Sequence, residues 1–313
     1  MSNFEFISLH ASSLINSIEK ELNKKFTIFK PSSFADSEIF IKYFDINFLN
    51  NKHVIVLHQF SFEQKSISEQ IIELLFLVDL VKKAGAIKVD VVLPYYPYSR
   101  QEELFGGKAK GFVFLIDKLF KASLIDEIFC FELHNSQVVK EFITKTNEIS
   151  LIDFGVEFFG KNKDILFEAK DACFLSPDEG RAESIKIIAQ NAGVPFAHVE
   201  KERIAKDLAV SKKLIGDVKD KNVIIIDDII DTANTAIGAC DIALKNGAKK
   251  VIGFFGHAVL SKDAVEKIEK SKFEHVFVTD TVMVGNKLVN SKKITQTSLA
   301  HILIKFLRDY YGF

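Results

Sequence analysis

Short continuous apolar runs alternate with longer amphipathic ones over most of the chain. Val54–Leu57 and Val89–Leu93 are continuous and rich in β-branched residues, whereas Ser66–Lys83 between them repeats its apolar positions at helical spacing. Continuous runs suit strands buried on both faces, and the intervening periodicity suits helices laid across them. Strand, helix, strand in that order predicts an α/β protein with parallel sheets flanked by helices. Two junctions echo one another: Lys82-Lys83-Ala84-Gly85-Ala86-Ile87-Lys88-Val89 and Leu244-Lys245-Asn246-Gly247-Ala248-Lys249-Lys250-Val251. Each closes a helix, passes a glycine suited to a left-handed stop, and opens a strand. The glycines stand about half the chain apart, so the pattern predicts two copies of one βαβ-rich domain. The boundary is expected near Asn147–Ile149, after a helical run around Val138–Thr144. The last amphipathic run, Ser298–Leu307, is expected to be helical.

The sharpest chemical signal lies in the second copy. Val223-Ile224-Ile225-Ile226 runs into Asp227, Asp228 and Asp231, then into Thr232-Ala233-Asn234-Thr235 and a helical stretch from Ala236. Free N–H groups and the Thr232 and Thr235 hydroxyls at a helix start can hold a phosphate. At ~4 Å and an effective dielectric near 20, each close pair of acids costs about 4 kcal/mol, so a cation or hydroxyls should offset them. The same residues also permit a plainer arrangement, a solvated loop with Asp231 as a helix N-cap.

Net charge of −1 over 313 residues gives no bias toward nucleic acid or an anionic membrane, and the length suits two domains with separate cores. The first residues lack a basic region followed by an apolar run, and the most apolar stretch, Ile71–Val81, is interrupted by Glu73 and Asp79, so neither an export signal nor a membrane span is expected. Cys130, Cys173 and Cys240 are widely spaced in apolar surroundings, which fits reduced core thiols in a cytoplasmic protein.

Other polar groups collect at predicted strand ends, where ligands of parallel sheets sit. Pro94-Tyr95-Tyr96-Pro97-Tyr98-Ser99-Arg100-Gln101 follows a strand, Leu133-His134-Asn135-Ser136-Gln137 ends another, and Phe34-Ala35-Asp36-Ser37-Glu38 sets a ring and two acids around a tight turn. Taken singly, these also read as a proline-stiffened turn, a structural histidine and a surface loop. Lys201 and Arg203 alternate in an extended segment and so point the same way, as a cationic pair or as a solvated charge run.

Together, and in this order, these segments with Ser176-Pro177-Asp178-Glu179-Gly180 and Glu200-Lys201-Glu202-Arg203-Ile204 resemble the ribose-phosphate pyrophosphokinase family over nearly the whole chain. The acidic loop is similar to that shared with type I phosphoribosyltransferases. The resemblance implies two similar domains of type I phosphoribosyltransferase-like fold. Residues 1–148 would bind ATP, residues 149–296 would bind ribose 5-phosphate, and the terminal helix, 297–313, would pack back on the first domain. It further implies that Phe34 stacks on adenine, with Asp36 and Glu38 accepting hydrogen bonds from the base. Arg100, Gln101 and His134 would meet ATP, His134 and Asp178 would hold Mg²⁺, and Asp227, Asp228, Asp231, Thr232, Ala233, Asn234 and Thr235 would hold ribose 5-phosphate. Lys201 and Arg203 would act from a mobile catalytic loop in a homo-oligomer. Diphosphoryl transfer spreads negative charge over phosphate oxygens, so converging cations are what the chemistry needs. Four departures stand out: Glu102-Glu103 where the family has an acid and then basic residues, Glu132 for the usual Asp, Ala233-Asn234 where glycines are common, and Glu179-Gly180-Arg181 after Asp178 without a double glycine. Lys108 and Lys110 substitute for the lost basic residues if their loop folds back. A phosphoribosyltransferase and a catalytically silent regulatory homologue are the other functions this sequence admits.

Overall fold

The computed structural model describes residues 3–42, 45–63, 65–104, 106–151, 154, 155, 158, 171–203 and 210–312, with 201–203 and 210–212 as backbone. It divides into two compact units. The first comprises Met1–Ile149, Asp280–Met283 and Ser298–Phe313, and the second Ser150–Thr279 and Val284–Thr297.

The first unit runs β1 (Phe4–Ser8), α1 (Ser13–Leu22), β2 (Thr27–Ile28), the hairpin of β3 (Pro31–Ser33) and β4 (Ile39–Ile41), β5 (His53–Leu57), α2 (Ile67–Lys83) and β6 (Lys88–Leu93). It continues through a small hairpin, β7 (Glu103–Leu104) and β8 (Ala109–Lys110), to α3 (Phe112–Ala122), β9 (Glu127–Phe131) and β10 (Lys145–Ile149). Its sheet has the order β10-β9-β6-β5-β1-β2, with every pair parallel. The second unit runs β11 (Ala172–Ser176), α4 (Ala182–Ala192), β12 (Phe196–Arg203), β13 (Val210–Ile215), β14 (Asn222–Ile230), α5 (Asn234–Lys245), β15 (Lys250–Ala258), α6 (Ala264–Lys270), β16 (His275–Thr279) and β17 (Ile294–Thr297). Its sheet has the order β13-β12-β11-β14-β15-β16-β17, parallel except for β12 with β13. Helix α7 (Ala300–Tyr311) belongs to the first unit.

The two sheets share a topology. From β2 to β10 in one and from β12 to β17 in the other, strands and crossover helices correspond one for one: α1 with α4, α2 with α5, α3 with α6. Gly85 and Gly247 end the matching helices at φ +90° and +92°, a region an L side chain enters only with strain. The α/β class expected from periodicity is therefore what forms, and the repeat extends to strand order. Val54–Leu57 and Val91–Leu93 are at most 1% exposed, as strands covered on both faces must be. Phe174, Ile185, Ile188, Ile224, Ile252, Phe254 and Phe277 form the core on one face of the second sheet. Helix α2 begins with a capping box between Ser66 and Glu69, which contributes about 1 kcal/mol. No helix among the described residues is long and apolar enough to cross a membrane. The three cysteines are free and buried.

The segment expected to be helical around Val138–Thr144 is instead a 3₁₀ turn, Ser136–Glu141, followed by edge strand β10. The Asp117 carboxylate accepts the N–H groups of Ile143 and Thr144 at 2.7 and 3.0 Å, which stops the turn and releases the chain to pair with β9.

At the amino ends of the first sheet, buried carboxylates clasp α7. Asp90 is inaccessible and meets Tyr311 Oη at 2.5 Å, His53 Nε2 at 2.7 Å and Lys88 Nζ at 3.2 Å. Glu127 meets Lys88 at 2.7 Å, Lys145 at 3.0 Å and the Tyr310 hydroxyl. Burial pushes the Glu127 carboxyl up, but hydrogen bonds from Lys88, Tyr310 and Lys145 outweigh it and bring it from 4.5 to about 2. A depressed carboxylate contributes stability above its unfolded pKa and loses it as pH falls through the folded value. Glu127→Gln should therefore cost on the order of 2 kcal/mol at pH 7 and flatten the acid limb between pH 4.5 and 2, measured by thermal unfolding. A variant with an unchanged acid limb would refute the role.

Candidate active site

In the first unit the polar segments follow β6 and β9 at the carboxyl edge of the sheet. After Leu93 the chain buries Tyr95 and Tyr96 and then takes a left-handed turn at Tyr98, φ +61°. That conformation costs a non-glycine residue roughly 1 kcal/mol or more. Two bonds hold it: Tyr98 Oη lies 2.8 Å from Ser68 Oγ in the first turn of α2, and Gln101 N–H donates to Tyr98 O at 2.9 Å. The turn presents Arg100 and Gln101, both exposed, which with Ile67, Tyr95 and Tyr98 line a cleft of about 480 Å³. Gly111 pins the far side, since a Cβ there would lie 1.8 Å from Gln101 O. Lys110 is not turned to these residues as the sequence allowed; its Nζ is 2.6 Å from Glu141 and 4.8 Å over the Phe114 ring.

After β9, Glu132 is buried at φ +27° and its N–H donates to Ile149 O at 3.0 Å. Glu148 then accepts the Leu133 N–H at 2.7 Å and the Ser136 hydroxyl at 2.9 Å, so one carboxylate braces the turn that carries half-buried His134. Sequence reading passed over Glu148 and Ser68. Neither stands in a motif, and each acts only through a tertiary contact.

Phe34, Asp36 and Glu38 sit at the exposed tip of the β3–β4 hairpin. Phe34 N–H donates to Glu38 O at 2.9 Å, Ser37 N–H to Phe34 O at 3.0 Å, and Asp36 Oδ1 accepts the Glu38 N–H at 3.0 Å. The tight turn expected here forms, with Ser37 at φ +74°.

In the second unit, strand β14 does not stop before the acids. Its ladder with β15 continues through Asp227 opposite Phe255, Ile229 opposite His257 and Ile230 opposite Ala258. Asp228 is buried at 4% exposure and its N–H donates to Asp227 Oδ1 at 3.0 Å. Asp178, two residues beyond neighbouring β11, has Oδ1 accepting Gly180 N–H at 3.0 Å, while its carbonyl accepts the Ser176 hydroxyl at 2.7 Å. Burial first, then the charges of Asp228 and Asp178, push Asp227 well above the usual carboxylate range. Three carboxylates thus converge on one strand edge.

Beyond them the loop turns sharply at Ala233, φ +63°, which is itself the N-cap of α5 and gives it no side-chain cap. Asp231 does not cap the helix. The first turn of α5 carries no acid, so its N–H groups and dipole face the Asp231–Thr235 loop without an internal anion. Thr235 is exposed and Thr232 half-buried, and the Asn234 side chain accepts from Lys267 Nζ at 3.2 Å. Lys201 and Arg203 lie on β12 opposite Lys212 and Val210, and their side chains fall outside the described residues.

Comparison with known proteins gives the following. Residues 6–109 match a family model described as the N-terminal domain of ribose phosphate pyrophosphokinase, and residues 158–312 one described as a phosphoribosyl synthetase-associated domain. The ribose-phosphate pyrophosphokinase of Thermotoga maritima is 31% identical over 298 residues, 95% of this chain and 92% of that one. That of Halalkalibacterium halodurans is 32% identical over 237 residues, 75% and 73% of the two chains. The crystal structure of phosphoribosylpyrophosphate synthetase from Mycobacterium smegmatis aligns with a TM-score of 0.88 at 27% identity, covering 99% of each chain.

The raised Asp227 yields a stability test. A carboxyl whose folded pKa exceeds its unfolded value, 3.8, costs stability as pH rises from that value through the folded one. Asp227→Asn should therefore unfold at a higher temperature than wild type, with a gap that widens from pH 4 toward neutrality. A gap independent of pH would mean that the carboxylates do not oppose one another.

Proposed function

The chain belongs to the ribose-phosphate pyrophosphokinase family, and from that membership we propose that it transfers the β,γ-diphosphoryl group of ATP to the C1 hydroxyl of ribose 5-phosphate. The products are 5-phosphoribosyl 1-diphosphate and AMP. The observation that carries this reading is the uncapped, acid-free start of α5 directly beyond the converging carboxylates. A 5-phosphate at Thr232–Thr235 completes the helix start, and ribose hydroxyls donate to Asp227, Asp228 and Asp231, offsetting the burial and the repulsion that raise Asp227.

In the first unit, Phe34 stacks on adenine, Asp36 and Glu38 accept from its amino edge, and Arg100, Gln101 and His134 meet the nucleotide. Arg100 suits bidentate contact with phosphate oxygens. His134 in the first unit and Asp178 in the second would each offer a ligand to Mg²⁺. A hard cation that keeps water and phosphate oxygens around it needs few protein ligands, and Mg²⁺ would supply charge neutralisation of the triphosphate. Lys201 and Arg203, brought on β12, stabilise charge on the transferred group, chiefly by position and electrostatics. The protein works in the cytoplasm as a homo-oligomer.

Incubation of the purified protein with Mg-ATP and ribose 5-phosphate should release AMP only when the sugar phosphate is present. ADP would indicate an ordinary kinase, and no nucleotide turnover would point to a catalytically silent homologue. Lys201→Ala should lower kcat roughly 100-fold or more with little change in the ATP KM; near-normal turnover would remove its role. Asp228→Ala should weaken ribose 5-phosphate binding about tenfold by calorimetry.

A further inference from the structure

An exposed phenylalanine on a turn ordinarily samples several rotamers, and a ring that must be ordered on binding loses affinity for doing so. Phe34 is 57% exposed yet does not stand alone. The Phe40 ring lies against it with centroids 4.4 Å apart and planes 30° from parallel. The hairpin register enforces this contact. Ser33 pairs with Ile39 and Ser32 with Phe40, so Phe34 stands opposite Glu38 and Phe40 is its diagonal neighbour on the same face. Strand β4 rests against α2, which anchors half-buried Phe40 to the body of the unit while Phe34 projects from the tip. A spacing of 4.4 Å leaves no room for a third ring between the two, so one face of Phe34 is occupied and the other is open.

We propose that Phe40 is a positioning residue for the nucleotide base: it fixes the Phe34 ring as a platform with a single open face, onto which one purine stacks. The proposal rests on the reading of Phe34 as the adenine contact and adds what makes that contact rigid before ATP arrives. Phe40 touches neither base nor phosphate, so its effect falls on ATP affinity alone and requires the Phe34 ring.

The test uses the full chain, with ATP binding followed by calorimetry and kcat and the ribose 5-phosphate KM measured alongside. Phe34→Ala should weaken ATP about tenfold or more. Phe40→Ala should weaken it about fivefold with kcat and the ribose 5-phosphate KM within twofold of wild type. Phe40→Leu, which keeps apolar bulk at this half-buried position but lacks a ring to stack, should behave as Phe40→Ala with unchanged thermal unfolding, and Phe40→Tyr should restore wild-type affinity. In the Phe34→Ala background, Phe40→Ala should add nothing. If Phe34→Ala leaves ATP affinity unchanged, the adenine assignment itself fails. If Phe34→Ala weakens ATP while Phe40→Leu does not, or if the two losses are independent, the role of Phe40 is overturned and the adenine assignment stands. Calorimetry decides both, even for a protein that shows no turnover.

Discussion

The ladder between β14 and β15 holds together what electrostatics would separate. Its pairing runs from Asn222 to Ile230 and resumes beyond Asp228, so the backbone bonds of a parallel strand hold two consecutive carboxyl groups in place. The neighbouring parallel strand β11 brings Asp178 to the same edge. Burial, together with the charges of Asp228 and Asp178, raises Asp227 as a result. The tension is thus set by the sheet register rather than by any single side chain.

Parallel sheets separate two tasks by strand direction. At the amino ends of β5, β6, β9 and β10, His53, Lys88 and Lys145 gather around the buried carboxylates of Asp90 and Glu127, a linked set that receives the tyrosines of α7. Removing one partner would leave a buried carboxylate without its compensating donors, which is what makes the set structural. At the carboxyl ends the polar residues converge with like charge or project outward, as do Arg100 and Gln101. Polar groups of the same types therefore pair with one another at one edge and are left converging or outward at the other, the edge where ligands of parallel sheets sit.

Much of this was legible in the sequence because it rests on local chemistry. The period change from Val54–Leu57 to Ser66–Lys83 gives β5 and α2 nearly to the residue, and the glycines of the two junctions mark both helix ends. The acid-rich loop before α5 is visible as an abrupt change from β-branched to carboxylate side chains. What was not legible depends on partners distant in the chain. Nothing within Ser136–Thr144 announces that Asp117 will end its turn, and nothing in Asp280–Met283 marks it as joining the first unit, where the Gln59 side chain donates to Asp280 O and Met283 N–H to Phe60 O. The continuation of β14 through its acids was hidden for the same reason: a carboxylate reads as the end of a strand until the neighbouring strand is known to go on. Phe40 looked like one apolar residue among thirty phenylalanines until the hairpin register placed it diagonal to Phe34.

Among the described residues, four of the ten non-glycine positions with positive φ adjoin the candidate ligand groups. Ser37 in the hairpin tip, Tyr98 before Arg100, Glu132 before His134 and Ala233 before α5 all have positive φ without being glycine. Each is locked by a contact outside its own residue: the turn bonds of Phe34, the Ser68 hydroxyl, the Ile149 carbonyl, and for Ala233 its 4% exposure within the packed loop. Strained turns at roughly 1 kcal/mol or more apiece persist only where the surroundings over-determine them. Their cost is met on folding, when the cores form, and not on binding. Four segments that would otherwise have to be ordered around a ligand are therefore ordered beforehand. At Ala233 the methyl group enters the left-handed region where glycine would go without strain, and the packed loop around it holds that turn.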